Sequence, residues 1–159
     1  MEINVLTEEG LEVETNSDWM QEIVSKTLST ENLPPNIEIS LVITGQERIR
    51  ELNKEYRGID SPTDVLSFSM SEHKDEEQTA FIGPPDGLVH LGEVIVSYPQ
   101  AQIQAKERGH SLNKEMAILI IHGVLHILGF DHEKPQMEPS MTAREQEILS
   151  DLESRKEIE

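Results

Sequence analysis

Apolar residues recur at two periods along this chain, and the changes between them mark out its elements. Ile3–Leu6 and Leu11–Val13 alternate briefly on either side of Glu8-Glu9-Gly10, which predicts a small hairpin or two edge strands. From about Ser17 to Leu28 the period lengthens, with Trp19, Met20, Ile23, Val24 and Leu28 at helical spacing. Pro34-Pro35 interrupts the chain, and Ile37–Ile43 then alternates and ends apolar, as a strand inside a sheet does. Thr44-Gly45-Gln46-Glu47 reads as a capping box that opens a helix to Tyr56 or Arg57, with Gly58 suited to its C-terminal cap.

The second half repeats the mixture. Asp64–Phe68 predicts a short strand after the Ser61-Pro62 turn, and Leu88–Val96 a further strand. Between about residues 70 and 88 the chain turns acidic and rich in Gly and Pro, the composition of a flexible loop. A helix starts near Pro99 and stops at Gly109, a long apolar helix covers about Leu112–Leu128, and a charged one about Glu138–Glu153. No segment repeats another. The expected fold is α+β, one domain over residues 1–159. It has a small mixed sheet of about four strands, about five helices packed mostly on one side, and its candidate site on the buried helix and the turn after it.

Composition narrows the class further. A length of 159 residues supports one proper core. No cysteine is present, which removes disulfides, thiolate metal sites and cysteine nucleophiles together and fits a reducing cytoplasm. No run approaches the roughly 20 apolar residues of a membrane span, and the first ten residues have no signal-like apolar core. A soluble, cytoplasmic protein is expected. The formal charge of −18 argues against a protein that coats nucleic acid. It does not exclude a nucleic-acid enzyme with a local basic patch, because screening confines bulk repulsion to roughly 8–10 Å. One Trp, two Tyr and three Phe leave little for an extended base-stacking platform.

The candidate chemistry lies in the run His122-Gly123-Val124-Leu125-His126-Ile127-Leu128-Gly129-Phe130-Asp131-His132. His122 and His126 are one helical turn apart on a shared face. Gly129 lets the chain leave the helix and swing His132 back toward them. Three imidazoles on one zinc leave one coordination position open, the arrangement of a catalytic metal site. A lone buried histidine more often bonds a carbonyl, but three at this spacing point to ligation. The spacing equals that of the metzincin proteases, H-E-x-x-H-x-x-G-x-x-H, except that their glutamate base is replaced here by Gly123. Peptide hydrolysis by that route is therefore disfavoured.

His122-Gly123-x-Leu125-His126-x-x-Gly129-x-Asp131-His132 resembles the signature of the YbeY family of metal-dependent, single-strand-specific endoribonucleases. Tyr56-Arg57-Gly58-x-Asp60-x-x-Thr63-Asp64-Val65-Leu66-Ser67-Phe68 is similar to a second block of that family. Leu91-Gly92-Glu93-Val94-Ile95, and Met141 with Glu145, extend the likeness from about Leu41 to Leu152 in the family's order. Phe130, where many relatives carry Tyr, is a departure that touches no ligand.

The resemblance implies one zinc per chain on His122, His126 and His132. It also implies processing of ribosomal RNA 3′ ends and a part in ribosome quality control, with single-stranded ribosomal RNA and ribosome-associated proteins as partners.

Arg50, Lys54 and Arg57 form a stripe at i, i+4 and i+7. Arg50 and Lys54 suit a solvated face paired with Glu47, Glu51 and Glu55. Arg57 lies in the family block, and its planar fork can grip a phosphate, orient it and stabilise transition-state charge. Asp131 either supports a ligating imidazole, acts on the metal's water, or caps the turn. Asp64 and Thr63 suit a turn, Met141 suits core filling, and His73, His90 and His110 have no partner at ligand spacing. Two other readings stay open: a zinc hydrolase of peptides or small amides, and a non-catalytic ribosome-assembly factor whose zinc only fixes the fold.

Overall fold

A computed structural model describes residues 1–70, 87–129 and 138–154. The predicted loop at about 70–88 falls largely outside them, as do Asp131 and His132. Nine elements follow along the chain: β1 (Glu2–Thr7), α1 (Ser17–Ser29), β2 (Ile37–Thr44), α2 (Gln46–Arg57), β3 (Val65–Ser69), β4 (Val89–Ser97), α3 (Tyr98–Arg108), α4 (Leu112–Ile127) and α5 (Glu138–Ser154). The strands form one mixed sheet in the order β1-β2-β4-β3, with β1, β2 and β4 parallel and β3 antiparallel on the edge. This is the expected α+β architecture, with four strands and five helices among the described residues.

Alternation decides which helix covers which face. Ile37, Ile39, Leu41 and Ile43 of β2, with Val94 and Val96 of β4, point into the main core beneath α1, α3 and α4. On the opposite face, among the described residues, lies α2, whose Ile49 and Leu52 pack on Leu66 and Ile95. Helices thus gather mainly on one side, as the late helical run implies.

Two local expectations are corrected. Residues 11–13 form no strand; β1 pairs with β2 across α1, from Glu2 opposite Glu38 to Thr7 opposite Ile43. Leu11 and Val13 instead pack half-buried against the main core. So short a segment has few ladder bonds to offer, whereas the crossover lets Ile3 and Val5 join the core. The capping box is not formed either. Gly45 is the N-cap of α2 with no side-chain cap bond, because Thr44 is still paired to Ser97 in the sheet. The Thr44 hydroxyl is buried without a partner.

The other helix starts follow simple chemistry. Asn16, Ser97 and Ser111 each accept a backbone N–H from the first turn of α1, α3 and α4. The start of α4 is further fastened by Glu115, which is fully buried. Its carboxylate accepts from Gln104 at 2.7 Å and Arg108 at 2.8 Å, and meets His110 Nε2 at 2.6 Å. A buried carboxylate requires such partners.

Helix α4 then runs through the centre, touching α1, α3, α5, β3 and β4. Helix α5 lies across it, with Met141, Ile148 and Leu152 buried. Lys26–Asp151 at 3.0 Å and Lys114–Glu153 at 3.3 Å tie α5 to α1 and α4. No helix of the described residues is long and apolar enough to cross a membrane.

Candidate active site

Gly123 sets the seat of α4 on the sheet. A Cβ there would stand 2.5 Å from Val94 Cγ1 and 3.3 Å from both Ser67 Oγ and Val65 Cγ2. Only a bare α-carbon permits so close an approach, and the Ser67 hydroxyl uses it to donate to the Gly123 carbonyl at 3.0 Å. The position that holds the glutamate base in metzincins therefore faces the sheet here. It has no room for a side chain, let alone a carboxylate beside a metal.

His122 and His126 flank that contact, half-buried on the same side of α4, with ring centroids 6.4 Å apart and planes tilted by 39°. His122 Nδ1 lies 3.3 Å from Glu145 Oε1 on α5, a contact that orients the ring. Among the described residues no set of three His, Asp or Glu gathers closely enough to hold a metal. Two of the three expected donors are thus placed together. Their chemistry fits zinc: two imidazoles on one helix face, one of them backed by a carboxylate.

His126 opens into a cleft of about 730 Å³ that wraps the edge strand β3. Arg48, Leu52, Tyr56 and Arg57 from α2 line one wall, Ser67–Met70 and Gly92–Glu93 the floor. The floor depends on a bulge in β4. Glu38 pairs with His90 and Ile39 with Gly92, leaving Leu91 as the extra residue. Gly92 has φ 144°, and a Cβ would come within 2.1 Å of the Phe68 carbonyl oxygen, so glycine is required there.

The cations of α2 divide in two. Arg50 Nε meets Asp60 at 2.8 Å and its NH1 donates to Glu47 at 3.1 Å, while Lys54 lies 3.9 Å from Asp60. The Asp60 hydrogen bond and charge, with Glu47, raise the Arg50 pKa above its ordinary value. Both cations belong to a solvated network, as expected, although Asp60 joins Glu47 in place of Glu51 and Glu55. Arg57 is exposed in the cleft and makes no ion pair among the described residues.

Sequence reasoning missed Arg48, which shares the cleft wall and has only a 3.7 Å pair with Glu51. Its signal was present: positions 48, 52 and 56 form a row at i, i+4 and i+8. Asn53 was missed as well. It is buried and donates to the Ser61 carbonyl at 2.8 Å, holding the loop that carries Asp60.

The remaining expectations resolve plainly. Asp64 Oδ1 accepts from Val65 N at 2.8 Å, a structural role at the start of β3. Met141 fills the core. His90 and His110 meet carboxylate partners, Glu38 and Glu115. Burial pushes the Glu38 carboxyl upward, but hydrogen bonds with His90, Ser40 and Asn4 and the His90 charge outweigh this and hold it below its usual range. Arg57, His122 and His126 are the expected site residues that the structure describes; His73, Asp131 and His132 lie outside it.

Comparison with known proteins places this geometry in context. The profile of the family described as Endoribonuclease YbeY matches residues 2–153. A protein of Dehalococcoides mccartyi named Endoribonuclease YbeY is 49% identical over 148 residues, covering 91% of this chain and 86% of its own. Its namesakes from Roseiflexus castenholzii and Geobacillus thermodenitrificans are 42% and 40% identical, covering 84% and 94% of this chain and 81% and 90% of theirs. A solution structure from Thermotoga maritima shares the fold, with TM-score 0.59, 24% identity, and coverage of 96% of this chain and 90% of that one.

Proposed function

The chain belongs to the YbeY endoribonuclease family, and from that premise we propose that it is a zinc-dependent endoribonuclease specific for single strands. Its substrate is ribosomal RNA, its task is 3′-end maturation and ribosome quality control, and its place is the cytoplasm with ribosome-associated proteins. The observation that carries this reading is the cleft in which the exposed Arg57, without an ion pair among the described residues, and the half-buried imidazole of His126 line the same space. A cation can hold a phosphodiester's oxygens, and a metal held by the imidazoles would add Lewis acidity beside them.

His122, His126 and His132 would hold one zinc, whose chemistry when bound is Lewis acidity toward a phosphate oxygen and toward water. The protein's own groups do the rest. Glu145 fixes the His122 ring. Arg57 grips the non-bridging oxygens with its planar fork and offsets charge that builds on them. Ser67 and Gly123 hold α4, and with it His122 and His126, against β3. Asp131 either supports a ligating ring or accepts a proton from the attacking water.

The reading as a peptide hydrolase is weakened by Gly123, which faces the sheet and leaves no base at the protease position. The reading as a non-catalytic assembly factor leaves the exposed Arg57 without a task.

The test is cleavage of a single-stranded ribosomal RNA 3′-precursor by wild type, Arg57→Ala and Arg50→Ala. Arg57→Ala is expected to lose about a hundredfold or more in kcat/KM, the scale of a lost transition-state contact, and Arg50→Ala to stay near wild type. Equal losses in the two variants would contradict the assignment. A 2′,3′-cyclic phosphate on the product would assign the attack to the ribose hydroxyl in place of water.

A further inference from the structure

Tyr56 is 63% exposed, the one aromatic side chain among the described residues left so open to solvent. It is not loose. Phe68 meets it with ring centroids 5.2 Å apart and planes 60° from parallel, and Phe68 is itself packed in the smaller core against Leu66 and Ile95. A tilted neighbour of this kind fixes the attitude of a ring, and most of the Tyr56 side chain stays open to solvent. Tyr56 also lines the cleft that holds Arg57 and His126.

An exposed, oriented aromatic ring next to a phosphate-gripping arginine matches the requirement of an unpaired nucleobase. We propose that Tyr56 is a base-stacking subsite, receiving the base of a nucleotide beside the phosphate held by Arg57. This rests on reading the cleft as the RNA-cleaving site and adds to it a source of strand selectivity. A base can lie on a protein ring only after leaving its own stack and partner, which a single strand allows and a duplex resists. Every base has a π-face, so the subsite selects strandedness and not sequence. One turn apart along the same wall stand Arg48, Leu52 and Tyr56, so Arg48 offers a cation for a flanking phosphate.

Stacking also answers the charge of the chain. A protein at −18 gains little from bulk attraction to RNA, whereas a π-contact contributes affinity that salt does not screen. Removal of Tyr56 and removal of Arg57 should therefore differ in kind. Loss of a phosphate contact flattens the dependence of binding on salt; loss of a stack weakens binding equally at every salt concentration.

The experiment is fluorescence anisotropy of a fluorescein-labelled single-stranded oligoribonucleotide with the zinc-loaded enzyme, across a salt series, beside cleavage of the same strand. Tyr56→Ala is expected to bind about tenfold more weakly with an unchanged salt slope, the loss of roughly one base stack. Tyr56→Phe should match wild type. Tyr56→Leu, which keeps an apolar contact with Phe68 but has no π-face, should resemble Tyr56→Ala. One abasic position in the RNA should cost wild type a similar factor and cost Tyr56→Ala nothing more.

Wild-type binding by Tyr56→Ala, or an abasic penalty that adds fully to that of Tyr56→Ala, overturns the subsite alone, since wild type still cleaves. Failure of wild type to cut any single strand overturns the reading of the cleft and the subsite with it.

Discussion

Adding one methyl group at Gly123 should destabilise the protein, against the usual rule for helices. Replacing glycine by alanine inside a helix ordinarily stabilises by about 1 kcal/mol. At this position the new Cβ would lie 2.5 Å from Val94 Cγ1. Val94 is buried in β4, β-branched, and cannot swing aside. Relief requires α4 to move off the sheet, and overpacking of this kind costs about 1–3 kcal/mol. The net expectation for Gly123→Ala is a loss of up to about 2 kcal/mol, and a lower Tm at about 2–4 °C per kcal/mol for a chain of this size.

Urea unfolding of the metal-free protein gives the number directly. Val94→Ala alone should cost about 2 kcal/mol for its buried methyls. Combined with Gly123→Ala it should cost less than the sum, because each change makes room for the other. The shift of α4 would also carry His122 and His126 away from the cleft wall, so catalysis should fall further than stability. A Gly123→Ala protein more stable than wild type by the full helix-propensity increment would refute the claim that this glycine seats the helix on β3 and β4.

Glu145→Gln should weaken zinc binding about 10–100-fold while the fold is retained, as loss of a carboxylate behind a ligating imidazole does. Competition with a chromophoric chelator measures this, and unchanged affinity would remove Glu145 from the site. Glu38, held below its ordinary value by His90, Ser40 and Asn4, leaves the native state with fewer bound protons than the unfolded chain. Its contribution is present above the ordinary glutamate value of about 4.3 and is lost as pH falls through the lowered one. The stability gap between wild type and Glu38→Gln should accordingly close in acid, and a gap constant with pH would contradict the cause given.

Much of this arrangement could be read before folding because its signals are local. Helix α4 is apolar on nearly every side, so its burial and the shared face of His122 and His126 follow from periodicity. The αL caps at Gly58 and Gly109 follow from glycine after a helical run. What stayed hidden depends on partners distant in sequence. The pairing of β1 with β2 requires knowing that α1 crosses over. Thr44 looks like a cap until the ladder with Ser97 claims it. The arginine stripe was counted along Arg50, Lys54 and Arg57, yet Asp60 draws the first two outward and the cleft faces Arg48. Gly123 could be seen as a missing base, but its reason for being glycine lies in Val94, 29 positions earlier in the chain.

The central claim is that imidazoles on α4 and the turn after it hold the zinc that makes this cleft an RNA-cutting site. Its most direct test is the rate at which a single-stranded ribosomal RNA precursor is cut by chelated protein, by the same protein after zinc is restored, and by His126→Ala. The account predicts no cleavage after chelation, recovery with one zinc per chain, and no recovery in the variant. Cleavage by the rigorously chelated protein at the original rate would contradict it.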